Sequence, residues 1–378
     1  MGLIHRLVEK GVTLLFLVPD TAGLYHQLRE EGHTAYCIPF KLSIWPNSRT
    51  RADRWTYWPK TICRTVINIW AIYRMMRLMK QLQPDVVHTN TSVVSLGRIA
   101  AKWAGITHVQ HIREYGEYGD QRFSMHYFPS WKHVHRAMRR DNACNICITR
   151  DIQRHHGLDT CGNAQVVYDG VHDTVSRLPR HGKEPFFLYA GRIEHVKGLD
   201  LLLQAYSGYK QKVRDALRLY VAGDASDSLY LKEIQVYIAA HHLEADISFL
   251  GNVGHLGQLM QKATALIIPS RSEGFGFCMP EAMFNGCLCI GYDTAGTKEQ
   301  MDNGRELTGG EIALRYSTVE ELTERLLEVH ATSSGQWDAM RERAFTTVNT
   351  LYTHATSANT IFDIYKTLTS HKRERTNL

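Results

Sequence analysis

The sequence contains no long hydrophobic run and does not open with an export signal. Its most apolar stretch, around Thr65 to Tyr73, is well short of the roughly 18 residues that a membrane-spanning helix needs. The first residues lack the charged, apolar and small-residue order of a signal peptide, and Arg6 occupies the place where a myristoylation signal has a hydroxyl residue. These absences predict a cytoplasmic protein.

The sequence also lacks the spacing of common metal and dinucleotide sites. The pairs Cys144/Cys147 and Cys287/Cys289 lie in segments that otherwise resemble buried strands, and no second C-x-x-C or H-x3-5-H group lies near either pair. We therefore expect reduced thiols in the core and no bound metal. The Gly-Phe-Gly motif at 274–276 is not followed by the third glycine of a dinucleotide fingerprint, which disfavours a dehydrogenase.

What the sequence does contain is an alternation of apolar strands and helical stretches along both halves. Its 378 residues are enough for two ordinary domains, and the alternation predicts an α/β fold with parallel sheets. In the first half we predict strands at 13–18, 35–39, 85–89, 108–112 and 143–148, and helices at 2–10, 23–31, 60–81 and 95–103. In the second half we predict strands near residues 186, 218, 247, 265 and 288, each followed by a helix, and a helical stretch at 337–368.

The stretch from Pro269 to Gly286 is the most informative, because a buried strand leads into a glycine loop and then into a helix start. Gly274 and Gly276 let backbone N–H groups approach a ligand, and helix N-termini of this kind hold phosphates. Glu273 and Glu281 bracket the loop with seven residues between them, so sugar hydroxyls could reach each carboxylate. The pattern predicts a nucleotide-sugar site. The alternative is that Glu281 only complements the helix dipole.

A second motif follows the predicted strand that ends at Ala190. Gly191 is followed by Arg192 and, five residues later, by Lys197. A departing diphosphate needs positive charge where its bond breaks, and arginine offers a fixed fork while lysine offers a mobile point charge. The pair therefore predicts a diphosphate site, although a basic pair in a loop is also typical of a solvated surface.

Together the two motifs resemble those of retaining glycosyltransferases of family 4. That family has the GT-B architecture, in which two Rossmann-like, doubly wound domains face a cleft. The resemblance implies that Glu273 contacts the transferred sugar, that Glu281 holds the ribose, and that Arg192 and Lys197 stabilise the diphosphate. It also implies further donor-binding positions at Gly191, Gly223, Gly274, Phe275, Gly276 and Phe277.

The resemblance implies transfer of a sugar from a UDP-sugar or GDP-sugar to a hydroxyl of a glycan or lipid-linked glycan, in cell-surface polysaccharide synthesis. Transfer would retain configuration and need no metal or other cofactor, because the leaving phosphate can accept the proton of the acceptor. Two alternatives stay open. One is a nucleotide-sugar epimerase or phosphorylase of the same architecture, and the other is a non-catalytic protein that only binds nucleotides.

The resemblance also gives domain boundaries. Residues 1–171 would form an acceptor-binding domain, 172–184 a linker, 185–355 the donor-binding domain, and 356–378 a last helix that crosses back to the first domain. Family members begin with a strand and a glycine-rich loop, whereas this chain begins within the helix that should follow, so we expect its first domain to be incomplete at the start. A second departure lies at 294–299, where members usually carry Gly-Gly and this chain has one glycine.

Two polar side chains of the first half follow predicted strands. By the resemblance, His111 would lie near the transferred sugar, although a histidine that is hydrogen-bonded at a strand end is an equally simple interpretation. Asn90 could bind acceptor or donor hydroxyls, but turn formation explains an asparagine there as well.

Positive charge is concentrated in the first half. Residues 1–170 contain 22 Lys and Arg against 13 Asp and Glu, while the remainder contains 22 against 25. This excess fits an anionic partner such as a lipid pyrophosphate or the cytoplasmic leaflet, so we expect peripheral membrane contact through the first domain. Segments 49–60 and 132–140 mix basic and aromatic residues, although each could be a solvated face. No nucleic-acid-binding signature accompanies the charge.

Overall fold

The chain forms two compact units. The computed structural model describes residues 1–46, 51–116, 125–175 and 182–376. Unit 1 comprises Met1–Tyr168 and Ser357–Leu378, and unit 2 comprises Asp169–Thr356. Residues 176–181, the central part of the predicted linker, lie outside the described residues.

Unit 1 contains parallel sheets of two and four strands. The smaller sheet pairs β1 with β2, and the larger has the order β3-β4-β5-β6. The strands are β1 (Leu15–Val18), β2 (Thr34–Cys37), β3 (Val86–Asn90), β4 (Thr107–Ile112), β5 (Cys144–Cys147) and β6 (Ala164–Val166). The helices are α1 (Gly2–Glu9), α2 (Leu24–Glu30), α3 (Arg51–Leu82), α4 (Leu96–Ala104), α5 (Trp131–Asp141) and α6 (Arg150–His155).

Helix α3 begins at Arg51, well before the predicted start at Lys60. It continues through Pro59, whose missing N–H and ring normally disfavour a helix interior. Its inner face packs against α4 and the end of β2 through a cluster of buried apolar side chains, which includes Ile38, Ala71, Ile72, Met75, Met79, Leu96 and Ala100. Within the described part of the chain, no helix is long and apolar enough to cross a membrane.

Unit 2 contains a six-stranded parallel sheet with the order β12-β11-β10-β7-β8-β9. Its strands are β7 (Glu184–Ala190), β8 (Arg218–Ala222), β9 (Ile247–Gly251), β10 (Ala263–Ile268), β11 (Leu288–Tyr292) and β12 (Leu314–Tyr316). Its helices are α7 (Leu199–Lys210), α8 (Ser228–Ala240), α9 (Leu256–Lys262), α10 (Cys278–Phe284), α11 (Ala295–Thr308), α12 (Val319–Ala331) and α13 (Asp338–Leu351).

The strand order of unit 2 reverses between β7 and β10. From β7 the chain proceeds outward through β8 and β9, then returns to β10 beside β7 and proceeds outward the other way. At such a switch point the loops that follow the two central strands diverge and leave a crevice beyond the carboxyl ends of the strands, where ligands of α/β sheets bind. The topology therefore predicts the location of a ligand site in unit 2.

The strands of unit 2 have the apolar composition that a sheet covered on both faces requires. Phe187 and Leu188 of β7 and Leu266 of β10 are fully buried. One face packs against α7 and α12 through side chains such as Leu202 and Leu326. Each side chain of this size contributes roughly 1.5–3 kcal/mol by leaving water, so the sheet is a rigid support for the loops at its edge.

The helical stretch predicted at 337–368 is two helices. α13 ends at Leu351, and α14 (His354–Thr376) begins three residues later. At the break, the backbone N–H of Val171 donates to the carbonyl of Tyr352 at 2.8 Å, and that of His354 donates to the carbonyl of His172 at 2.8 Å. These bonds satisfy backbone groups that a continuous helix would satisfy internally. After its first turn α14 belongs to unit 1, where Ala358, Ile361 and Ile364 share a core cluster with Leu7 and Val109.

Candidate functional site

The two sequence motifs meet at the switch point of unit 2. Arg192 and Lys197 follow β7, and Glu273 follows β10. Since β7 and β10 are parallel hydrogen-bonded neighbours, the two loops leave the same edge of the sheet. Lys197 Nζ lies 2.7 Å from Glu273 Oε1. Two residues that are 76 positions apart in sequence thus form an ion pair where the topology predicts a ligand.

This ion pair is partly enclosed. The side chains of Lys197 and Glu273 are 22% and 14% exposed. Among the described residues, Glu273 is the one hydrogen-bond partner of Lys197 Nζ. An ammonium group has three N–H donors, so this lysine can bind a further anion without giving up its present bond. The arrangement keeps a positive charge close to solvent and in a fixed place.

A second ion pair ties the two loops together. The guanidinium of Arg271 donates to both carboxylate oxygens of Asp200, at 2.8 and 2.6 Å, and to the carbonyl of His195 at 2.7 Å. The hydroxyl of Tyr230 donates to Asp200 Oδ1 at 2.7 Å. Burial acts to raise the pKa of Asp200, but the hydrogen bonds from Arg271 and Tyr230 outweigh it and lower the pKa. Asp200 therefore stays charged, and its ion pair with Arg271 fixes the loop after β7 to the loop after β10.

Sequence reasoning missed this second pair. Asp200 and Arg271 lie 71 residues apart, and each looks like an ordinary charged residue in its own segment. The available signal was their placement, since Asp200 lies just beyond Lys197 and Arg271 lies just before Glu273.

Close approach between loops explains two glycines. A Cβ at Gly198 would lie 2.0 Å from the carbonyl oxygen of Pro269, and Gly198 has a φ of +69°. A Cβ at Gly296 would lie 2.7 Å from the carbonyl oxygens of both Glu273 and Gly274, and Gly296 N–H donates to the carbonyl of Glu273 at 2.9 Å. The one glycine of the segment 294–299 is thus the one that the packing requires. Its neighbour Ala295 adopts a φ of +49°.

Glu281 lies in the first turn of α10, as expected for the second glutamate of the motif. Its carboxylate has no hydrogen-bond or ion-pair partner among the described residues, and burial raises its pKa. A carboxylate in this condition gains by accepting hydrogen bonds from a ligand. Its position near the helix N-terminus is also compatible with the simpler role of complementing the dipole.

Arg192 does not contact Lys197 or Glu273. Its side chain is mostly exposed and pairs with Glu194, with Arg192 Nη2 3.0 Å from Glu194 Oε1. The neighbouring glycines have a packing role, because a Cβ at Gly223 would lie 2.1 Å from the carbonyl oxygen of Gly191. Arg192 thus lies on the loop that follows β7, and its guanidinium stays at the surface.

The two phenylalanines of the glycine loop differ in environment. Phe275 is buried and packs edge-on against Tyr352, with ring centroids 5.3 Å apart. Phe277 is exposed. Gln300 of α11 fixes the loop, since its amide nitrogen donates to the carbonyl of Phe275 at 2.6 Å. Between them, Gly276 takes a φ of +80°, which a glycine adopts without strain.

His111 is buried in unit 1. Its Nδ1 lies 3.3 Å from His88 Nε2, and His88 Nδ1 lies 2.5 Å from the hydroxyl of Tyr365. Burial lowers the pKa of His111 well below its ordinary value, so the ring is neutral at pH 7. Its Nε2 is buried without a hydrogen-bond partner among the described residues. Asn90 accepts a hydrogen bond from Arg113 Nη1 at 3.1 Å.

Unit 1 also contains a basic groove of about 740 Å³ between α5 and α6. Its lining includes Lys132, Arg136, Arg139, Arg140 and Arg154 together with Trp131. Arg140 and Arg154 pair with aspartates, whereas Lys132 and Arg136 have no ion-pair partner within the described ranges. The groove lies in the segment 132–140 that the sequence identified as basic and aromatic, and it offers uncompensated positive charge to an anion.

Among the described residues, the thiols and the histidines form no cluster typical of zinc. Cys144, Cys147, Cys287 and Cys289 are buried and free. Among the described residues, one group of three possible ligands has its donor atoms within 4.8 Å of one another, and it consists of His5, Glu31 and His33. His5 Nε2 lies 2.9 Å from Glu31 Oε2, so their hydrogen bond accounts for the proximity of two members.

Comparison with known proteins points to glycosyltransferases. Residues 173–344 match the family model described as glycosyl transferases group 1. The chain is 30% identical over 141 residues to an uncharacterized glycosyltransferase of Methanocaldococcus jannaschii, covering 36% of each protein. It is 31% identical over 131 residues to the lipopolysaccharide 1,6-galactosyltransferase of Escherichia coli, covering 32% of this chain and 33% of that protein. Each of these two alignments spans about a third of the length of the curated relative.

Solved structures match the chain over nearly its whole length. Anabaena Alr3699/HepE in complex with UDP superimposes with a TM-score of 0.74 at 15% identity, covering 97% of this chain and 96% of that one. A glycosyltransferase from Rickettsia africae gives a TM-score of 0.71 at 17% identity, covering 97% and 94%. At such identities the likeness concerns the fold, and the fold is GT-B, as the sequence predicted.

Proposed function

We propose, from the match of residues 173–344 to the model of glycosyl transferases group 1, that the chain transfers a sugar from a nucleoside diphosphate sugar to a hydroxyl of a glycan or lipid-linked glycan. Unit 2 binds the donor and unit 1 the acceptor. The ion pair between Lys197 and Glu273 at the switch point of the sheet is the observation that carries this proposal.

Each charged group of unit 2 has a distinct task in the proposed reaction. Lys197 contacts a phosphate oxygen of the donor and stabilises the negative charge that grows on the departing diphosphate. Glu273 accepts hydrogen bonds from hydroxyls of the transferred sugar and supports its positive character as the bond loosens. Glu281 accepts hydrogen bonds from the ribose, and these bonds offset the desolvation of its carboxylate. The leaving phosphate accepts the proton of the acceptor, and configuration is retained without a metal.

Arg192 has to change partners in this mechanism. In the structure its guanidinium pairs with Glu194. An exposed pair of this kind contributes at most about 1 kcal/mol, whereas a hydrogen bond between two charged groups at a phosphate is stronger. Binding of a diphosphate would therefore draw Arg192 away from Glu194 at little cost.

The acceptor carries negative charge in this proposal. The basic groove between α5 and α6 contains three cations that have no ion-pair partner among the described residues, Lys132, Arg136 and Arg139. A phosphate or pyrophosphate of a lipid-linked glycan is the kind of group that such a groove attracts. The ring of His111 is neutral, and its buried Nε2 has no hydrogen-bond partner in the described part of the chain, so the ring is suited to a hydroxyl rather than to an anion.

Calorimetric titration with UDP, GDP and ADP tests the donor site. We expect the protein to bind one of the three selectively, and Arg192→Ala to weaken that binding by about tenfold through loss of one charged hydrogen bond. The matched control is Arg305→Ala, since Arg305 is exposed to a similar extent and pairs with Asp302 at 3.4 Å. This control should bind as the wild type does.

Turnover of the matching sugar donor then separates the alternatives. Slow donor hydrolysis, or transfer to an added acceptor, is expected of a glycosyltransferase. Formation of a rearranged nucleotide-sugar without acceptor would indicate an epimerase, and binding without any turnover would indicate a nucleotide-binding protein. A folded protein that binds none of the nucleotides would contradict the assignment of the site.

A further inference from the structure

Helix α3 carries an apolar stripe on its outer surface. Seven large apolar side chains along it are exposed, and they are Trp55, Trp58, Ile62, Val66, Ile69, Trp70 and Tyr73. Trp55 is 87% exposed and Ile62 is 62% exposed. At about 100° per residue, positions 55, 62, 66, 69 and 73 fall within roughly 60° of the helix circumference. The exposure is therefore a continuous face and not a scatter of single residues.

This face is separate from the one that the fold uses. Ala71, Ile72, Met75 and Met79 are buried in the core cluster of unit 1. The fold of unit 1 therefore does not need the outer stripe, which exposes tryptophan and isoleucine to solvent at a cost in hydration free energy. Apolar patches of this extent on soluble proteins mark interaction surfaces.

Basic residues surround the stripe. Helix α3 contains seven cations and one acidic residue, and the cations are Arg51, Arg54, Lys60, Arg64, Arg74, Arg77 and Lys80. Arg74 and Arg77 lie over the rings of Trp70 and Tyr73, at 4.9 and 5.8 Å from the ring centroids. Five of these cations lie beyond the two ends of the stripe, so the helix is apolar in its middle and positive at both ends.

We propose that the outer face of α3 inserts into the interface of an anionic lipid bilayer. Tryptophan, isoleucine and valine side chains would lie at the boundary between headgroups and acyl chains, while long arginine and lysine side chains reach the phosphates. The helix has 32 residues, so the contact would extend over roughly 48 Å. This inference rests on the proposed function only in that a lipid-linked acceptor would be presented at the same surface.

Charge favours a membrane over a second copy of the chain. Two copies that met through this face would bring the cations of one α3 against those of the other, and like charges at such an interface cost several kcal/mol. An anionic bilayer compensates the same cations, with about 1 kcal/mol gained for each Lys or Arg near the surface. The positive excess of residues 1–170 acts in the same direction.

Vesicle flotation with the full chain tests the proposal. We expect binding to phosphatidylcholine vesicles that contain about 30 mol% phosphatidylglycerol, and much weaker binding to pure phosphatidylcholine. Ile62→Glu with Ile69→Glu should lower the binding at least tenfold, because two charges are placed in the apolar interface. If that variant folds poorly, Trp55→Ser with Trp58→Ser replaces it, since both positions are exposed to solvent. This second variant should give a similar loss of vesicle binding.

The matched control lies in unit 2. Leu229 and Val236 of α8 are 71% and 69% exposed, so Leu229→Glu with Val236→Glu places the same charges on another exposed helix and should bind vesicles as the wild type does. Equal losses in both double variants, or no binding of the wild type to anionic vesicles, would overturn the proposal. A dimer that only the Ile62/Ile69 variant abolishes would overturn it in favour of a second copy. Unchanged nucleotide titrations of these variants would separate this surface from the donor site.

Discussion

Both units place ionisable side chains on neighbouring parallel strands or just beyond them, but those of β4 and those at the switch point of unit 2 differ in charge. In unit 1, β4 carries His108 and His111, and burial lowers the pKa of His108 to about 3 and that of His111 well below its ordinary value. In unit 2, Lys197 and Glu273 form a charged pair that keeps partial contact with solvent. The histidines of β4 are therefore neutral polar groups in a core, and Lys197 and Glu273 are charges at an accessible edge.

The difference follows from what surrounds each group. His108 is hydrogen-bonded on both sides, to Thr89 Oγ1 at 2.9 Å and to Asn142 Oδ1 at 2.8 Å. A neutral imidazole satisfies both partners without the cost of a buried charge. Lys197 and Glu273 lie in loops beyond the sheet, where each charge offsets the other. A neutral site suits uncharged hydroxyls, and a charged edge suits a diphosphate.

Removal of Lys197 should have the largest effect on this contrast. Lys197→Ala leaves Glu273 without its lysine partner and takes away the charge that stabilises the leaving group. We expect sugar transfer to fall by about 10²–10³ and nucleotide affinity by about tenfold. The stability change should be at most about 1 kcal/mol, as is usual for a partly exposed pair. Transfer assays, calorimetry and thermal melts measure the three quantities.

Lys210→Ala is the control for this prediction. Lys210 forms a similar ion pair with Asp246 at the other edge of the sheet, where α7 ends and β9 begins. Its loss should leave nucleotide binding unchanged. Equal effects of the two substitutions would show that the site at the switch point has no special role.

Acidification should affect unit 1 through its buried histidines. The pKa of a histidine in the unfolded chain is near 6.5, whereas that of folded His108 is about 3. Between these values the unfolded state binds the extra proton, so stability falls as the pH is lowered. The loss from His108 between pH 7 and pH 5 is on the order of 2 kcal/mol. Urea unfolding at both pH values should show a smaller loss for His108→Gln.

His241→Gln is a suitable control, because His241 is exposed at the end of α8. The stability of this variant should change between pH 7 and pH 5 by as much as that of the wild type. A wild-type stability that is unchanged from pH 7 to pH 5 would contradict the presence of neutral histidines in the core of unit 1.

Glu281→Gln should give the smallest effect and should distinguish the two interpretations of this residue. Burial raises the pKa of Glu281 because a charge there is partly desolvated, and a neutral glutamine avoids that cost. We expect nucleotide affinity to fall several-fold while the Tm rises by roughly 2–4 °C for a gain of about 1 kcal/mol. A lower Tm with unchanged affinity would instead support a helix-dipole role.

Glu320→Gln offers the comparison for that test. Glu320 is exposed in the first turn of α12, so only its interaction with the helix dipole is lost. The substitution should lower the Tm slightly and leave nucleotide binding unchanged.

Local pattern was enough to predict most of the fold. The strand, glycine loop and helix around Glu273 are contiguous in sequence, and each reports its own conformation through apolar runs and glycine. The early start of α3 was missed because Pro59 normally limits a helix. β12, with three residues, is too short for its pattern to be distinguished from a loop.

Contacts between distant segments could not be predicted in the same way. The pair of Asp200 and Arg271 depends on β7 and β10 being neighbours, which only the strand order reveals. The partner of Arg192 and the burial of His111 likewise depend on packing. Sequence therefore indicated which loops form the candidate site, while the connections that hold those loops became visible only in the structure.

The last helix has a consequence for how the protein is made. The core of unit 1 combines Leu7 and Val109 with Ile361 and Ile364, which are separated by the whole of unit 2. A chain that emerges from the ribosome exposes all of unit 2 before those last residues are synthesised, and domains fold as units during synthesis. Unit 2 can thus complete its core first. The core cluster of unit 1 that contains Leu7 forms completely only after Ile361 and Ile364 have been synthesised.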